Sequence, residues 1–216
     1  INHAPQLSSP GLIVMDMDST VIQIECIDEI ATLCGKGEEV SEVTELAMSG
    51  QLDFAQSLQQ RVAVLDGIDV QLLQAIRDSI PLMPGVHALL QTLQGNGWKT
   101  VIASGGFTYF AHYLQHRLGL DAAFANELEV LDGHLTGVVL GAIVDAQAKA
   151  DTVTRIAQQH AIPLRQTIAL GDGANDLLMM GQAGLGMAFH AKPVVQAQAD
   201  AAIRFGGLEQ TLYALV

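Results

Sequence analysis

Asp16-Met-Asp-Ser-Thr20 places two carboxylates two residues apart, directly after four consecutive apolar residues, Leu12 to Met15. In an extended chain residues i and i+2 point the same way, so Asp16 and Asp18 would leave the end of a strand side by side. Carboxylates that close repel one another unless one is protonated or a cation lies between them. A divalent metal meets that need, and oxygen donors of this kind suit magnesium. Taken alone, the stretch also fits an acidic helix cap following a strand. Two later stretches break from apolar to small, polar or acidic in the same way. Thr100-Val-Ile-Ala-Ser104 runs into Gly105-Gly106, and Thr167-Ile-Ala-Leu170 runs into Gly171-Asp172-Gly173, with Asn175 and Asp176 just beyond.

In open α/β sheets ligands bind outside the carboxyl ends of the strands, so three such ends would converge on one crevice. A carboxylate there can attack phosphorus to give an aspartyl-phosphate. A second carboxylate two residues on can protonate the leaving oxygen and then deprotonate the attacking water. Asp16 and Asp172, with Asp176 as a further ligand or a support, are hard oxygen donors for Mg²⁺. Ser104 and the Gly105 and Gly106 amides are small donors where phosphoryl oxygens would lie, although Ser-Gly-Gly is also an ordinary turn. Lys149, near a helix start, could stabilise phosphoryl charge; outside this pattern it would read as a solvated surface lysine. The seven histidines, His3, His87, His112, His116, His134, His160 and His190, have no ligand spacing. Met179-Met180 reads as core.

The elements that must position these groups follow from the apolar pattern. Leu12–Met15 is a strand buried on both faces, since only a strand covered by helices tolerates such a run. Residues 26–80 have helical spacing (Ile27, Ile30, Ala31 and Cys34 in one segment, Leu58, Val62 and Leu65 in another) and predict about four short helices. A helix from Gly85 to about Leu93 ends at Gly95-Asn96-Gly97. The second strand spans Thr100–Ser104, and Phe107–Leu118 is the next helix. Residues 124–131 and 134–140 form a hairpin about Asp132-Gly133. A helix near 147–160, the third apolar strand Thr167–Leu170, a helix over 175–181 and a strand over 184–189 complete the pattern. Alternating strands and helices predict a doubly wound, mostly parallel sheet with helices on both faces, Rossmann-like in class.

Composition bounds the function. At 216 residues, 50% hydrophobic and 15% charged, the chain can bury a substantial core. A net charge of -13 argues against nucleic acid or an anionic membrane as partner. No segment reads as a membrane span or a signal peptide. Cys26 and Cys34 make no disulfide scaffold and point to a reducing, cytoplasmic compartment. The chain begins at Ile1 without an initiator Met, which suggests processing or a longer parent.

Asp16-Met-Asp-Ser-Thr20, the Ser104 strand end, Lys149 and Gly171-Asp-Gly-Ala-Asn-Asp176 arrive in an order that resembles the haloacid dehalogenase superfamily of aspartate-nucleophile phosphatases. Glu25-Cys-Ile-Asp-Glu-Ile-Ala31, Phe54-Ala-Gln-Ser-Leu58 with Arg61-Val62, Ser104-Gly-Gly-Phe107 and Phe124-Ala-Asn126 are similar to the phosphoserine phosphatase branch. The resemblance spans residues 11–216. It implies a catalytic core over 1–21 and 83–216, with a helical cap over 22–82 that closes over substrate. It implies Asp16 as nucleophile, Asp18 as general acid/base, and Mg²⁺ held by Asp16, the Asp18 carbonyl and Asp172. Ser104, Gly105, Lys149 and Asn175 would contact the phosphoryl group, with Ser19, Thr20, Gly106 and Asp176 in support. Glu25 would pair the ammonium and Arg61 the carboxylate of O-phospho-L-serine, with Met48 and Phe54 as an apolar wall. The implied activity yields L-serine and phosphate, the last step of serine biosynthesis. An N-terminal regulatory region, common in bacterial members, would be missing from this chain. The core motifs alone also fit a phosphatase or phosphotransferase for another small phosphomonoester. A phospho-accepting receiver module uses similar acids, but the helical insert and the placing of Asp18 oppose it.

Overall fold

The computed structural model describes residues 4–216, the Met48 side chain excepted. Strand β1 (Leu12–Met15) is fully buried and pairs in parallel with β2 (Lys99–Phe107) on one side and β5 (Thr167–Gly171) on the other. Alternation along β1 explains why its four apolar residues run without a break. Ile13 and Met15 enter one core cluster, and Leu12 and Val14 enter another on the opposite face. Ile102 and Val101, and Ile168 and Ala169, divide between the two clusters in the same way.

The strands described form one sheet in the order β4-β3-β2-β1-β5-β6-β7, with β3 (Ala122–Leu131), β4 (His134–Leu140), β6 (Leu185–Phe189) and β7 (Ala201–Ile203). Every pairing is parallel except β3 with β4. Their hairpin turns at Asp132 (φ 49°) and Gly133 (φ 81°), two successive left-handed residues of the kind a tight hairpin needs. Helix α7 (Ala146–Gln159), α8 (Leu177–Gln182) and α9 (Pro193–Gln196) feed Val153, Ile156, Met179, Met180 and Val195 into one face. Helix α5 (Val86–Gly95) and α6 (Thr108–Leu118) cover the other.

Between β1 and β2 the chain makes four further helices, α1 (Cys26–Leu33), α2 (Gly37–Met48), α3 (Phe54–Val64) and α4 (Val70–Ser79). Their buried residues, among them Ile30, Leu58, Val62 and Leu73, join the α5/α6 cluster. The chain enters and leaves this insert side by side, with Gln23 N donating to Pro81 O (3.0 Å) and Met83 N to Val21 O (2.9 Å). The hairpin is stitched to the same insert. Gly67 N donates to Leu135 O (2.8 Å), Leu135 N to Ile68 O (2.8 Å) and Val70 N to Gly133 O (2.9 Å).

One expected boundary moves. Strand β2 does not stop at Ser104; it continues through Gly105 and Gly106 to Phe107, which pairs with Asn126 after a shift in register. The glycines loosen the strand without ending it, because β3 still offers a partner at Asn126. The lead-in before β1 is held rather than loose: Leu7 O accepts from the Trp98 indole (3.1 Å), and Gln166 binds the backbone of Gln6 and Ser9. His3 lies outside the described residues. No described helix is long and apolar enough to cross a membrane.

Candidate active site

The carboxyl ends of β1 and β5 and the glycine segment of β2 meet at a cavity of about 160 Å³. Asp16, Asp18, Glu25, Phe54, Arg61, Ser104, Gly105, Gly106, Asp172 and Asn175 line it. Every described residue expected at the site is therefore at this wall or, as with Ser19, Thr20, Lys149 and Asp176, directly behind it. The Met48 side chain lies outside the described residues. None of the described histidines lines the cavity, and Met179 and Met180 are core.

Asp16 is held on three sides. Its N–H donates to Leu170 O of β5 (2.9 Å), and its Oδ1 accepts from Met17 N (2.8 Å) and from the Lys149 ammonium (3.0 Å). Oδ2 has no hydrogen-bond donor among the described residues. One oxygen is thus pinned and the other left free toward the cavity.

Lys149 is the opposite of a surface lysine: 1% exposed, it bridges Asp16 and Asp176, the latter at 2.8 Å. Helix α7 carries it there. Asp145 caps the helix by accepting from Ala148 N (2.9 Å), which puts Lys149 in the first turn, on the face that Val153 and Ile156 bury. Burial works to lower the lysine pKa, but the Asp16 and Asp176 charges outweigh it and hold the ammonium protonated. Asp176 in turn accepts from Gly173 N through its other oxygen (3.0 Å).

Three carboxylates, Asp16, Asp172 and Asp176, offer oxygens that lie within 4.8 Å of one another. Burial, then the negative charges of Asp16, Asp176 and Glu25, push the Asp172 pKa up to about 7. Thr20 Oγ1 donates to Asp172 Oδ1 (3.2 Å), leaving the second oxygen free. Hard oxygen donors crowded until one holds its proton near neutrality fit a divalent cation of the magnesium type.

Asp18 stands beside them. Its Oδ1 accepts from Cys26 N (3.3 Å), and burial, reinforced by Glu25 and Asp16, pushes its pKa up to about 8. In the metal-free fold that shift favours a carboxyl that keeps its proton near neutrality. A Cβ on Gly106 would come within 2.5 Å of Asp18 Oδ2, and one on Gly105 within 2.8 Å of the Phe54 ring, so both positions exclude side chains by contact. Ser104, 1% exposed, accepts from Gly106 N (2.9 Å) and keeps its own proton for a ligand.

The insert supplies the opposite wall. An Asp53/Gln56 capping box starts α3 and fixes Phe54 as its first residue. Arg61, two turns on, is half-buried, and burial lowers its pKa against the pull of Asp28 and Glu25; the guanidinium stays charged. Glu25 precedes α1 without capping it and instead accepts from Ser19 Oγ (2.6 Å). Although the side chain reaches solvent, crowding by the surrounding protein raises its pKa, the Ser19 hydrogen bond opposing.

Four contributors were not singled out from sequence. Ile27, Leu58 and Phe107 line the cavity, yet each sits in an apolar pattern that reads as core. Asn126, 1% exposed, braces the glycine segment by donating to Gly105 O (2.8 Å) while accepting from Val144 N (2.8 Å). Its signal in the sequence was the Phe124-Ala-Asn126 motif of the resemblance, which was given no role at the site.

The family model for haloacid dehalogenase-like hydrolases matches residues 10–184. Phosphoserine phosphatase of Vibrio cholerae is 58% identical over 208 residues, which is 96% of this chain and 63% of that relative. Phosphoserine phosphatase of Idiomarina loihiensis is 54% identical over 204 residues, covering 94% of this chain and 93% of the relative. A solved phosphoserine phosphatase with an analogue of its phospho-aspartyl intermediate superposes with a TM-score of 0.90 at 39% identity, over 96% of this chain and all of that one. Fold, site geometry and these relationships agree: the chain belongs to the phosphoserine phosphatase family of haloacid dehalogenase-like hydrolases.

Proposed function

We propose that the chain hydrolyses O-phospho-L-serine to L-serine and inorganic phosphate through an aspartyl-phosphate on Asp16, with Mg²⁺ as cofactor. The observation that carries this reading is the lining of one cavity: Asp16 with a free oxygen, Asp18 beside it, and Glu25 and Arg61 across from them. Phosphoserine carries a phosphate, an ammonium and a carboxylate, and each finds a partner of opposite sign or matching geometry.

Asp16 Oδ2 attacks phosphorus, and the bond from phosphorus to the serine oxygen breaks. Asp18 gives its proton to that oxygen, so neutral serine hydroxyl leaves. Asp18, now a carboxylate, takes a proton from water as the water attacks the phosphorus of the aspartyl-phosphate. Phosphate departs and both carboxyls regain their starting states. Lys149 orients Asp16 throughout; Ser104 and the Gly105 amide donate to the phosphoryl oxygens, and Asn175 supports them. Asp16, Asp172 and the Asp18 carbonyl would hold Mg²⁺, which supplies charge neutralisation for the phosphoryl group. Arg61 takes the substrate carboxylate and Glu25 the ammonium, while the insert, residues 22–82, acts as a cap that shuts out water. The unbridged Cys26 and Cys34 support a reducing, cytoplasmic setting for this reaction.

The test is phosphate release from O-phospho-L-serine and from phosphoethanolamine, which lacks only the carboxylate. We expect strong preference for phosphoserine, loss of activity with EDTA, and loss of preference in Arg61→Ala. Equal turnover of both esters by the parent would overturn the substrate assignment and leave a phosphatase of other specificity. Full activity in Asp16→Asn would overturn the mechanism.

A further inference from the structure

We propose that Ser19 is a positioning residue that sets the amine selector Glu25 from the nucleophile loop; the inference rests on the reading of Glu25 given above. Ser19 is one of four described non-glycine residues with positive φ, at 54°. A side chain in that region is strained, so the surroundings must over-determine it. They do: Ser19 N donates to Ile24 O (3.2 Å), and Ser19 Oγ donates to Glu25 Oε1 (2.6 Å). The strained backbone is what turns the hydroxyl away from the strand axis and toward the start of α1. The Glu25 carboxylate has no other hydrogen bond or ion pair among the described residues, so the hydroxyl is its one polar anchor on a long side chain.

The neighbours divide the work. Asp18 faces Cys26 N, Ser19 faces Glu25, and Thr20 faces Asp172. Three consecutive residues thus address the acid/base, the selector and the metal cluster. Registration between phosphorus and amine then depends on Ser19, because the short Ser19–Glu25 bond joins the nucleophile loop directly to the selector.

The experiment measures discrimination, the ratio of kcat/KM for O-phospho-L-serine to that for the phosphate ester of 3-hydroxypropanoate, which keeps the carboxylate and lacks the amine. We expect Ser19→Ala and Ser19→Gly each to lower discrimination roughly five- to ten-fold, the net worth of one ordinary hydrogen bond. Glycine adopts positive φ freely, so a parental ratio in Ser19→Gly would mean that backbone conformation matters and the hydroxyl does not, overturning the proposal. In a Glu25→Ala background Ser19→Ala should change the ratio by less than two-fold; an undiminished effect there would show Ser19 acting elsewhere and would also overturn it. Glu25→Ala alone tests the premise. If it leaves discrimination at the parental value, the amine assignment fails rather than the Ser19 geometry.

Discussion

Among the described residues Lys149 alone forms two salt bridges. Two carboxylates bind it in the interior, and each would face the other without it. Removing one partner from a buried ion cluster costs several kcal/mol, because uncompensated charge stays behind. We expect Lys149→Met, similar in volume and without charge, to destabilise EDTA-treated protein by about 3 kcal/mol, read as a fall in Tm of roughly 6–12 °C, and to abolish phosphatase activity. A parental Tm would show that the acids protonate at negligible cost. Sequence identified Lys149 by its rarity on an acidic chain and by family position, but not its burial. A lysine one turn into an amphipathic helix reads as solvated unless the acids 133 residues back and 27 ahead are known to fold onto it. Asp16, Asp18 and Asp172 were legible for the reverse reason: each follows directly on an apolar strand, so local pattern and topology place them together. Ile27, Leu58 and Phe107 stayed hidden because a cavity wall and a core face have the same composition.

At the scale of elements, the hairpin β3–β4 and the helical insert are bonded backbone to backbone, although Val70 and Leu131 lie 61 positions apart in the chain. The hairpin itself was legible in Asp132-Gly133, a turn whose two residues both accept positive φ. Its three hydrogen bonds to residues 67–70 were not, since long-range pairing with a loop has no periodicity to announce it. Gly137 lies at the seam. Its φ is 73°, and a Cβ there would meet Ala63 Cα at 3.1 Å and Asp66 Cβ at 3.2 Å. We expect Gly137→Ala to cost at least about 1 kcal/mol, from a conformation alanine resists together with the close approach to α3. Hydrogen exchange should accelerate at the Gly67, Val70 and Leu135 amides while those of β1 and β5 stay protected. Exchange that speeds up evenly through the sheet would mean that the hairpin is not coupled to the insert by these bonds.

For the molecule as a whole, 23 acids against 10 lysines and arginines leave a net charge of -13, and the site concentrates that excess where burial makes it most costly. Asp172 and Asp18, with pKa values pushed up to about 7 and about 8, keep protons in the metal-free fold that they would lose near pH 4 when unfolded. Between those limits the folded state binds more protons than the unfolded one, so its stability falls as pH rises. A divalent cation held by Asp172, as proposed, would reverse the balance, because the carboxyl gives up its proton to bind it. Metal affinity should therefore strengthen from pH 6 to pH 8, by roughly ten-fold if one proton leaves across a pKa near 7. Calorimetric titration of Mg²⁺ into EDTA-treated, dialysed protein, in two buffers of different ionisation enthalpy, reads both the affinity and the protons released. Thermal melts supply the companion measurement: Tm without metal should decline from pH 5.5 to pH 8, and Mg²⁺ should raise it more at pH 8 than at pH 5.5. Asp172→Asn removes the titrating group while preserving its shape. That variant should melt higher than the parent at pH 8 without metal, lose most of its response to Mg²⁺, and release fewer protons on titration. A parental pH dependence in Asp172→Asn, with affinity constant across the range, would mean that the acidic cluster carries its charge unaided and that stability and metal binding are set elsewhere.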